Sequence, residues 1–284
     1  MSAPRIGAHI GDQSDPVGEA KARDADLVQF FLGDPQGWKS PVVGHPGGAA
    51  GLRVEADAAG IDLYVHAPYV LNVATTNNRI RIPSRKLLQK TIDLATEVGV
   101  QGVIVHGGHV LATDHPATGR ENWVKTIERA ELTVPLLIEN TAGGTNAMAR
   151  SLDAWVALWE TLAARTDLTN VGVCLDTCHA HAGGIDVAGA VAAVRAVTGR
   201  IDLVHANDSK DPFDSGRDRH ANFGDGQIDP ADLLAVVTAA GAPVVCETPG
   251  GVAGQSADIA WLRKHLPSAR RPGQSARRPG KSAS

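Results

Sequence analysis

Eight short apolar runs recur along the chain: RIGAH, DLVQFFL, IDLYVH, GVIVH, PLLIE, VGVCLD, IDLVH and PVVCE. Each has the length and β-branched content of a strand buried on both faces. Between most of them lie segments with helical spacing. Leu87, Leu88, Ile92, Ala95 and Val98 share one helical face, with Ser84 as the expected N-cap and Gly99 as the stop. Leu152, Trp155, Val156, Trp159 and Leu162 repeat the pattern. Asp229 followed by Pro230 reads as an N-cap and first helical residue, and Ser256 as the start of a last helix through Ile259, Trp261 and Leu262. Pro35 to Gly51, rich in Pro and Gly, reads as a long loop. Eight strands alternating with helices over about 265 residues predict an α/β fold, a single (β/α)8 TIM barrel. A doubly wound sheet is the alternative, but no GxGxxG follows the first strand.

The ends of these runs carry the chemistry. They finish in His9, His66, His106, Glu139, Asp176, His205 and Glu247; only the second run ends otherwise. In a barrel all C-terminal strand ends meet at one mouth, where active sites lie. Crowding imidazoles and carboxylates there without a cation is costly, because like charges repel and lose water. A metal cluster removes that cost. CLDTCH adds His179 three residues after Asp176, and RDRH places Asp218 and His220 two apart, on one face of an extended segment. Imidazole and carboxylate donors without thiolate suit Zn2+, with Mn2+ or Fe2+ as alternatives. Cys174, Cys178 and Cys246 lack CxxC spacing and read as small buried apolar residues, consistent with a reducing cytoplasm.

The ends of the chain add less. No apolar run is long enough to span a membrane, and the N-terminus shows no apolar signal region. Residues 1–267 form the expected barrel domain. Residues 268–284 repeat SARRPG twice and read as a disordered basic tail able to tether phosphate loosely. Without the five cationic residues of that tail, the formal charge of −4 falls to −9. A body that acidic disfavours nucleic acid unless metal ions neutralise it.

The motifs VHAPYVLN, VIVHGGH, IENTAGG, CLDTCHAHAGG, VHANDSK, GRDRHANFGDGQI and CETPG, in this order, resemble the endonuclease IV family, also called AP endonuclease family 2 or deoxyribonuclease IV. The resemblance spans about residues 5 to 265. It implies a trinuclear zinc site in a TIM barrel, acting on double-stranded DNA in base excision repair. His66 and His106 would hold one ion, with Glu139 bridging to a second held also by Asp176, His205 and Glu247. His179, Asp218 and His220 would hold the third. Three divalent ions bring six positive charges, and four carboxylates and a hydroxide take back five, so an acidic body no longer argues against DNA.

A metal-bridged hydroxide would cleave the phosphodiester 5′ to an abasic site, leaving a 3′-hydroxyl and a 5′-deoxyribose phosphate. Glu139 would be the catalytic carboxylate. Tyr69 matches a family residue that wedges into the DNA stack, and Gln36 stands where some members have an arginine wedge. Arg79 and Arg81 belong to a basic run, residues 74 to 90, that reads as phosphate-binding. His9 is expected to stand behind the ligands. VHGGH offers His109 as a second candidate beside His106, and His181 lines the groove. A monomer is expected. The competing reading is a xylose-isomerase-like sugar isomerase or epimerase, which would use Glu139, Asp176, His205 and Glu247 around one divalent ion and leave the other ligands idle.

Overall fold

The computed structural model describes residues 3–266. The eight runs become the parallel strands β1 (Ile6–His9), β2 (Leu27–Phe31), β3 (Asp62–His66), β4 (Gly102–His106), β5 (Leu136–Glu139), β6 (Val171–Asp176), β7 (Leu203–His205) and β10 (Val244–Cys246). They close in the order β1-β10-β7-β6-β5-β4-β3-β2, with β1 hydrogen-bonded to both β2 and β10. Around them run α1 (Pro16–Ala22), α2 (Gly48–Ala59), α3 (Asn78–Val98), α4 (Pro116–Ile127), α5 (Leu152–Ala163), α6 (Thr177–Ala182), α7 (Val187–Thr198), α8 (Pro230–Ala240) and α9 (Gly251–His265). A hairpin of β8 (Asp208–Ser209) and β9 (His220–Ala221) extends the loop after β7. The expected TIM barrel is what the chain forms. The SARRPG tail lies outside the described residues.

The barrel interior is built in two layers. Leu27, Tyr64, Ile104, Leu137, Cys174, Leu203 and Val245, one from each of seven strands, form an apolar cluster separate from the strand–helix core. The eighth strand contributes Gly7, where a Cβ would lie 1.8 Å from the Leu27 carbonyl oxygen. Strand side chains alternate between faces, so the residue two further on points inward again. Those residues are Gln29, His66, His106, Glu139, Asp176, His205, Glu247 and His9. All three cysteines are buried and unpaired, as expected.

Three boundaries differ from the sequence reading. Helix α3 begins at Asn78, capped by the Asn77 side chain, which accepts from Arg79 N. Ser84 lies buried inside it and accepts from Asn72 N at 3.0 Å, so it is not the cap. Pro83, which lacks an N–H, occupies the helix interior, beside the packed residues Ser84, Leu87 and Leu88. Helix α9 likewise starts at Gly251, after Gly250 in the left-handed conformation, rather than at Ser256. The loop after β2 ends before Gly48, so the last residues of the 35–51 stretch are helical. Asp229 and Pro230 start α8 as expected, with Asp229 accepting from Ala231 N at 2.8 Å.

Candidate metal centre

The strand ends converge into adjacent groups of donors. His66 Nε2 and His106 Nε2 approach Glu139 Oε2 at 3.1 and 3.4 Å. The other Glu139 oxygen lies 2.9 Å from His205 Nδ1, and Glu247 Oε2 and Asp176 Oδ2 stand 3.5 and 3.9 Å from that nitrogen. Glu139 thus faces two groups at once, from a position wholly out of solvent. The third group uses local chain chemistry. Asp176 ends β6 and also caps α6, accepting from His179 N at 2.7 Å, which puts His179 on the first helical turn. Asp218 lies between two imidazoles, 3.1 Å from His179 Nε2 and 3.0 Å from His220 Nε2. Within the groups His66–His106–Glu139, Glu139–Asp176–His205–Glu247 and Asp176–His179–His220, one donor atom of each residue lies within 4.8 Å of the others.

The imidazoles are oriented from behind. His66 Nδ1 donates to the Ala67 carbonyl at 2.7 Å, His179 Nδ1 to the Asn140 carbonyl at 2.9 Å, and His220 Nδ1 to the Glu247 carbonyl at 3.2 Å. Each bond keeps a proton on Nδ1 and turns Nε2 inward, so that Nε2 is the nitrogen able to ligate a cation once its own proton is lost. His220 Nε2 is buried and, despite its distance to Asp218, meets no hydrogen-bond geometry, so it is an orphaned donor atom aimed into the site. A divalent cation satisfies such a nitrogen, and the donor set, imidazole and carboxylate with no exposed thiolate, fits one.

The electrostatics ask for positive charge. Burial pulls the His179 imidazole down, but Asp176 and Asp218 outweigh it and hold it well above its ordinary value. His220 is pushed up to about 9, the Asp218 and Asp176 carboxylates prevailing over burial. Burial works to raise the Glu139 carboxyl, yet His205 and its neighbours hold it well below the usual range. Burial carries His106 the other way, to about 4. Without a cation, the cluster therefore takes up protons in its place.

The remaining candidates from the sequence fall around the rim. His9 Nδ1 accepts from Gln29 Nε2 at 2.9 Å and stands 3.5 Å from Glu247 Oε1, behind the ligands. His109 is exposed and joins none of the donor groups; its backbone is clasped by the Asn72 amide. The tight VHGGH turn rests on Gly108, at φ +69°, where a Cβ would meet Asn72 Oδ1 at 2.6 Å. His181 is buried against Phe213 and donates to the Asp211 carbonyl at 3.2 Å, away from the ligands. Tyr69, half exposed, leans its ring on Phe31, His66 and His106, and its N–H donates to Pro35 O at 2.8 Å, tying it to the loop that carries exposed Gln36. Arg79 is exposed at the start of α3, whereas Arg81 holds the Thr75 carbonyl and Asn78, and Arg85 holds Asn122 O and Thr126.

Four supporting residues escaped the sequence reading. Asn207 donates to Asp176 Oδ2 at 2.7 Å, and Asn140 exchanges bonds with the Asp176 backbone. Buried Asp208 accepts from the N–H groups of Ser209, Gly224, Gly226 and Ile228, fixing the loop beyond His220. Gln29 bridges three site residues. Their signal was a polar residue within or just after an apolar run, as in LVQFF, IEN and VHAND.

The family profile described as Xylose isomerase-like TIM barrel matches residues 17–265. A Mycobacterium tuberculosis protein described as probable endonuclease 4 is 50% identical over 263 residues, covering 93% of this chain and 99% of that one. The chain belongs to the endonuclease IV family. A crystal structure of endonuclease IV from Thermus thermophilus superposes with a TM-score of 0.78 at 29% identity, covering 92% of this chain and 98% of that one. A D-tagatose 3-epimerase-like protein superposes at 0.74 with 18% identity, over 92% and 96% of the two chains, a likeness of fold alone.

Proposed function

We propose that this endonuclease IV family member, an apurinic/apyrimidinic endonuclease of DNA repair, is a zinc-dependent phosphodiesterase that incises double-stranded DNA 5′ to an abasic site. The observation that carries the reading is the convergence of eight donors into contiguous groups sharing Glu139 and Asp176, with Asp218 joined to them through His179 and His220. His66, His106 and Glu139 would hold one ion, Glu139, Asp176, His205 and Glu247 a second, and His179, Asp218 and His220 a third. Bound divalent ions supply a water acidified to a nucleophile near neutral pH and positive charge for the phosphate oxygens. The chain's own residues do the rest. Glu139 holds two groups in register. The His66, His179 and His220 rings are locked with Nε2 inward by backbone carbonyls. Half-exposed Tyr69, with Gln36 on the loop bonded to it, would fill the gap left by a missing base, and exposed Arg79 would meet phosphate.

A one-ion sugar epimerase would use only the group around His205, and five further ligands would have no task. The test is metal analysis of the purified protein together with incision of a duplex carrying one abasic site. About three zinc equivalents and a 3′-hydroxyl product support the reading; one ion, no incision and sugar epimerisation would replace it.

We also propose a monomeric cytoplasmic enzyme with one barrel domain, 1–267, and a basic tail, 268–284, that loosely tethers DNA. The unpaired buried cysteines and the lack, among the described residues, of a helix able to cross a membrane are consistent with that placement. Deleting the tail should flatten the salt dependence of duplex binding by at most about 0.9 in log–log slope for each phosphate no longer engaged, with saturated incision unchanged. An identical slope would leave the tail passive.

A further inference from the structure

Seven of the eight strands place a histidine or carboxylate in the upper inward layer; β2 places Gln29, which is fully buried. An uncharged amide there invites a reason. Gln29 Oε1 stands 2.8 Å from His205 Nε2, while its Nε2 stands 2.7 Å from Glu247 Oε1 and 2.9 Å from His9 Nδ1. The orientation of the amide is decided by chemistry: a carbonyl facing the Glu247 carboxylate at 2.7 Å would be repelled, so the NH2 faces it and the carbonyl faces His205. Both donors of the amide and one lone pair of its carbonyl are then used by the three partners.

We infer that Gln29 is the positioning residue of the His205–Glu247 pair. Because its carbonyl accepts a hydrogen bond from His205 Nε2–H, that nitrogen keeps its proton, and Nδ1, the atom that faces Glu139, Asp176 and Glu247, is the one left to ligate an ion by giving up its own proton. This is the reverse of His66, His179 and His220, whose Nδ1 atoms donate to backbone carbonyls and whose Nε2 atoms face the site. A ring entering from β7 in that reversed sense has its far nitrogen pointed across the barrel, where its proton goes to a side chain from β2 rather than to a backbone carbonyl. The same amide ties down Glu247 Oε1 and leaves Oε2, 3.5 Å from His205 Nδ1, for the ion. It also donates to His9 Nδ1, which fixes the orientation of that ring behind the carboxylate. Gln29 touches no part of the donor groups' open side, so it acts through His205 and Glu247 and not on substrate.

The inference rests on the metal-centre reading above for its effect on ion binding, but the hydrogen bond itself can be read separately. The test compares wild type with Gln29→Met, which keeps length and removes every polar contact, in three measurements. Ion retention is followed by chelator competition. Incision is followed as kcat and KM on a single-abasic-site duplex, with and without added Zn2+. The His205 Nε2–H resonance is followed by NMR on the protein as purified. Outer partners of metal ligands are worth about 10–100-fold in affinity or activity. Gln29→Met should therefore lose one ion to chelator about 10–100-fold faster, lower kcat at unchanged KM, recover with added Zn2+, and shift the His205 resonance upfield. If wild type itself holds no ion, the metal-centre reading fails, and the resonance alone decides the clamp. Should Gln29→Met not fold, Gln29→Asn, one methylene too short to reach all three partners, should move the same readings in the same direction. Wild-type retention, kcat and resonance position in a folded variant would overturn the assignment.

Discussion

The two inward layers of the barrel are made by the same strands, two residues apart, and they do opposite work. The lower layer, Leu27 through Val245, is apolar and buried, and its side chains close the barrel by excluding water. The upper layer replaces each of these with a group that loses hydration when buried: Leu137 gives way to Glu139, Cys174 to Asp176, Leu203 to His205. Glu139, Asp176 and His205 are as inaccessible as the apolar layer beneath them. Burial therefore means different things one pleat apart. Below, it stabilises; above, it is a cost that the proposed cations would offset. The difference implies a dissociation: damage to the upper layer should remove function and ions with the fold retained, and damage to the lower layer should do the reverse.

The largest effect should come from Glu139→Gln. The neutral amide keeps the shape but withdraws a charge that faces two donor groups. Incision should fall by more than the about 10–100-fold that outer partners of a metal cost, with an unchanged circular dichroism spectrum and much of the DNA binding retained. Single-turnover incision and metal counting check this. Near wild-type turnover with full metal content would show that Glu139 is not the shared ligand.

Leu137→Ala, two residues earlier on β5, is the converse. Removing a buried leucine leaves a cavity and should cost about 2–5 kcal/mol of stability, read from denaturant unfolding of the loaded protein. At low temperature, ions and incision should stay near wild type. Parallel loss of ions and stability would mean that the two layers are one mechanical unit, and the distinction between them would fail.

How much of this was legible beforehand follows from the same layers. Strand ends were readable because apolar runs stop abruptly at a histidine or carboxylate, and β6 even carries the cap of α6 and a proposed ligand in one residue, Asp176. Gln29 was not readable, because β2 does not end on its inward polar residue: LVQFF continues through Phe30 and Phe31, and scanning run ends passes over position 29. The hairpin of β8 and β9 was missed because each strand is two residues long, and its order comes from Asp208 gathering four N–H groups. Ser84 misplaced the start of α3, since its hydroxyl accepts from Asn72 N inside the helix and the cap is Asn77, seven residues earlier. The roles of Arg81 and Arg85 also needed structure: a basic run looks uniform in sequence, while two of its members spend their donors on the protein's own carbonyls and hydroxyls.

A third test sharpens the upper layer electrostatically. In the ion-free chain His220 titrates near 9, above its ordinary 6.5. The stabilisation it gains from Asp218 and Asp176 is complete below 6.5 and is lost as pH rises through about 9. An ion on Nε2 must displace that proton. Between these limits zinc binding should release protons and tighten as pH rises, by about tenfold per pH unit for each proton expelled. Calorimetry at about pH 7.5, between those two limits, in two buffers of different ionisation enthalpy measures the number. No proton release would mean that the histidines are already neutral without metal and that the layer's charge is balanced in some other way.

Tyr69 tests where the upper layer ends and the substrate surface begins. Its ring centre lies 5.4 Å from that of His66 and 5.8 Å from that of His106, yet half of it faces solvent and it belongs to no donor group. It is therefore next to the proposed ligands without being one. Stacking an aromatic on a base is worth about 1–3 kcal/mol, and an abasic duplex offers a gap for the ring that intact DNA lacks. Gln36, joined to Tyr69 through the Pro35 carbonyl, would bring no cation to the same gap, which would leave more of the strand opening to the tyrosine. Tyr69→Ala should keep every ion, bind the abasic duplex more weakly toward the lower end of that range, and bind undamaged DNA almost as before. Paired binding curves at one salt concentration, with metal counts on the same sample, decide it. An equal loss on both duplexes would make Tyr69 a general contact, and a loss of ions would place it inside the layer that holds the metal, as a packing support for His66 and His106.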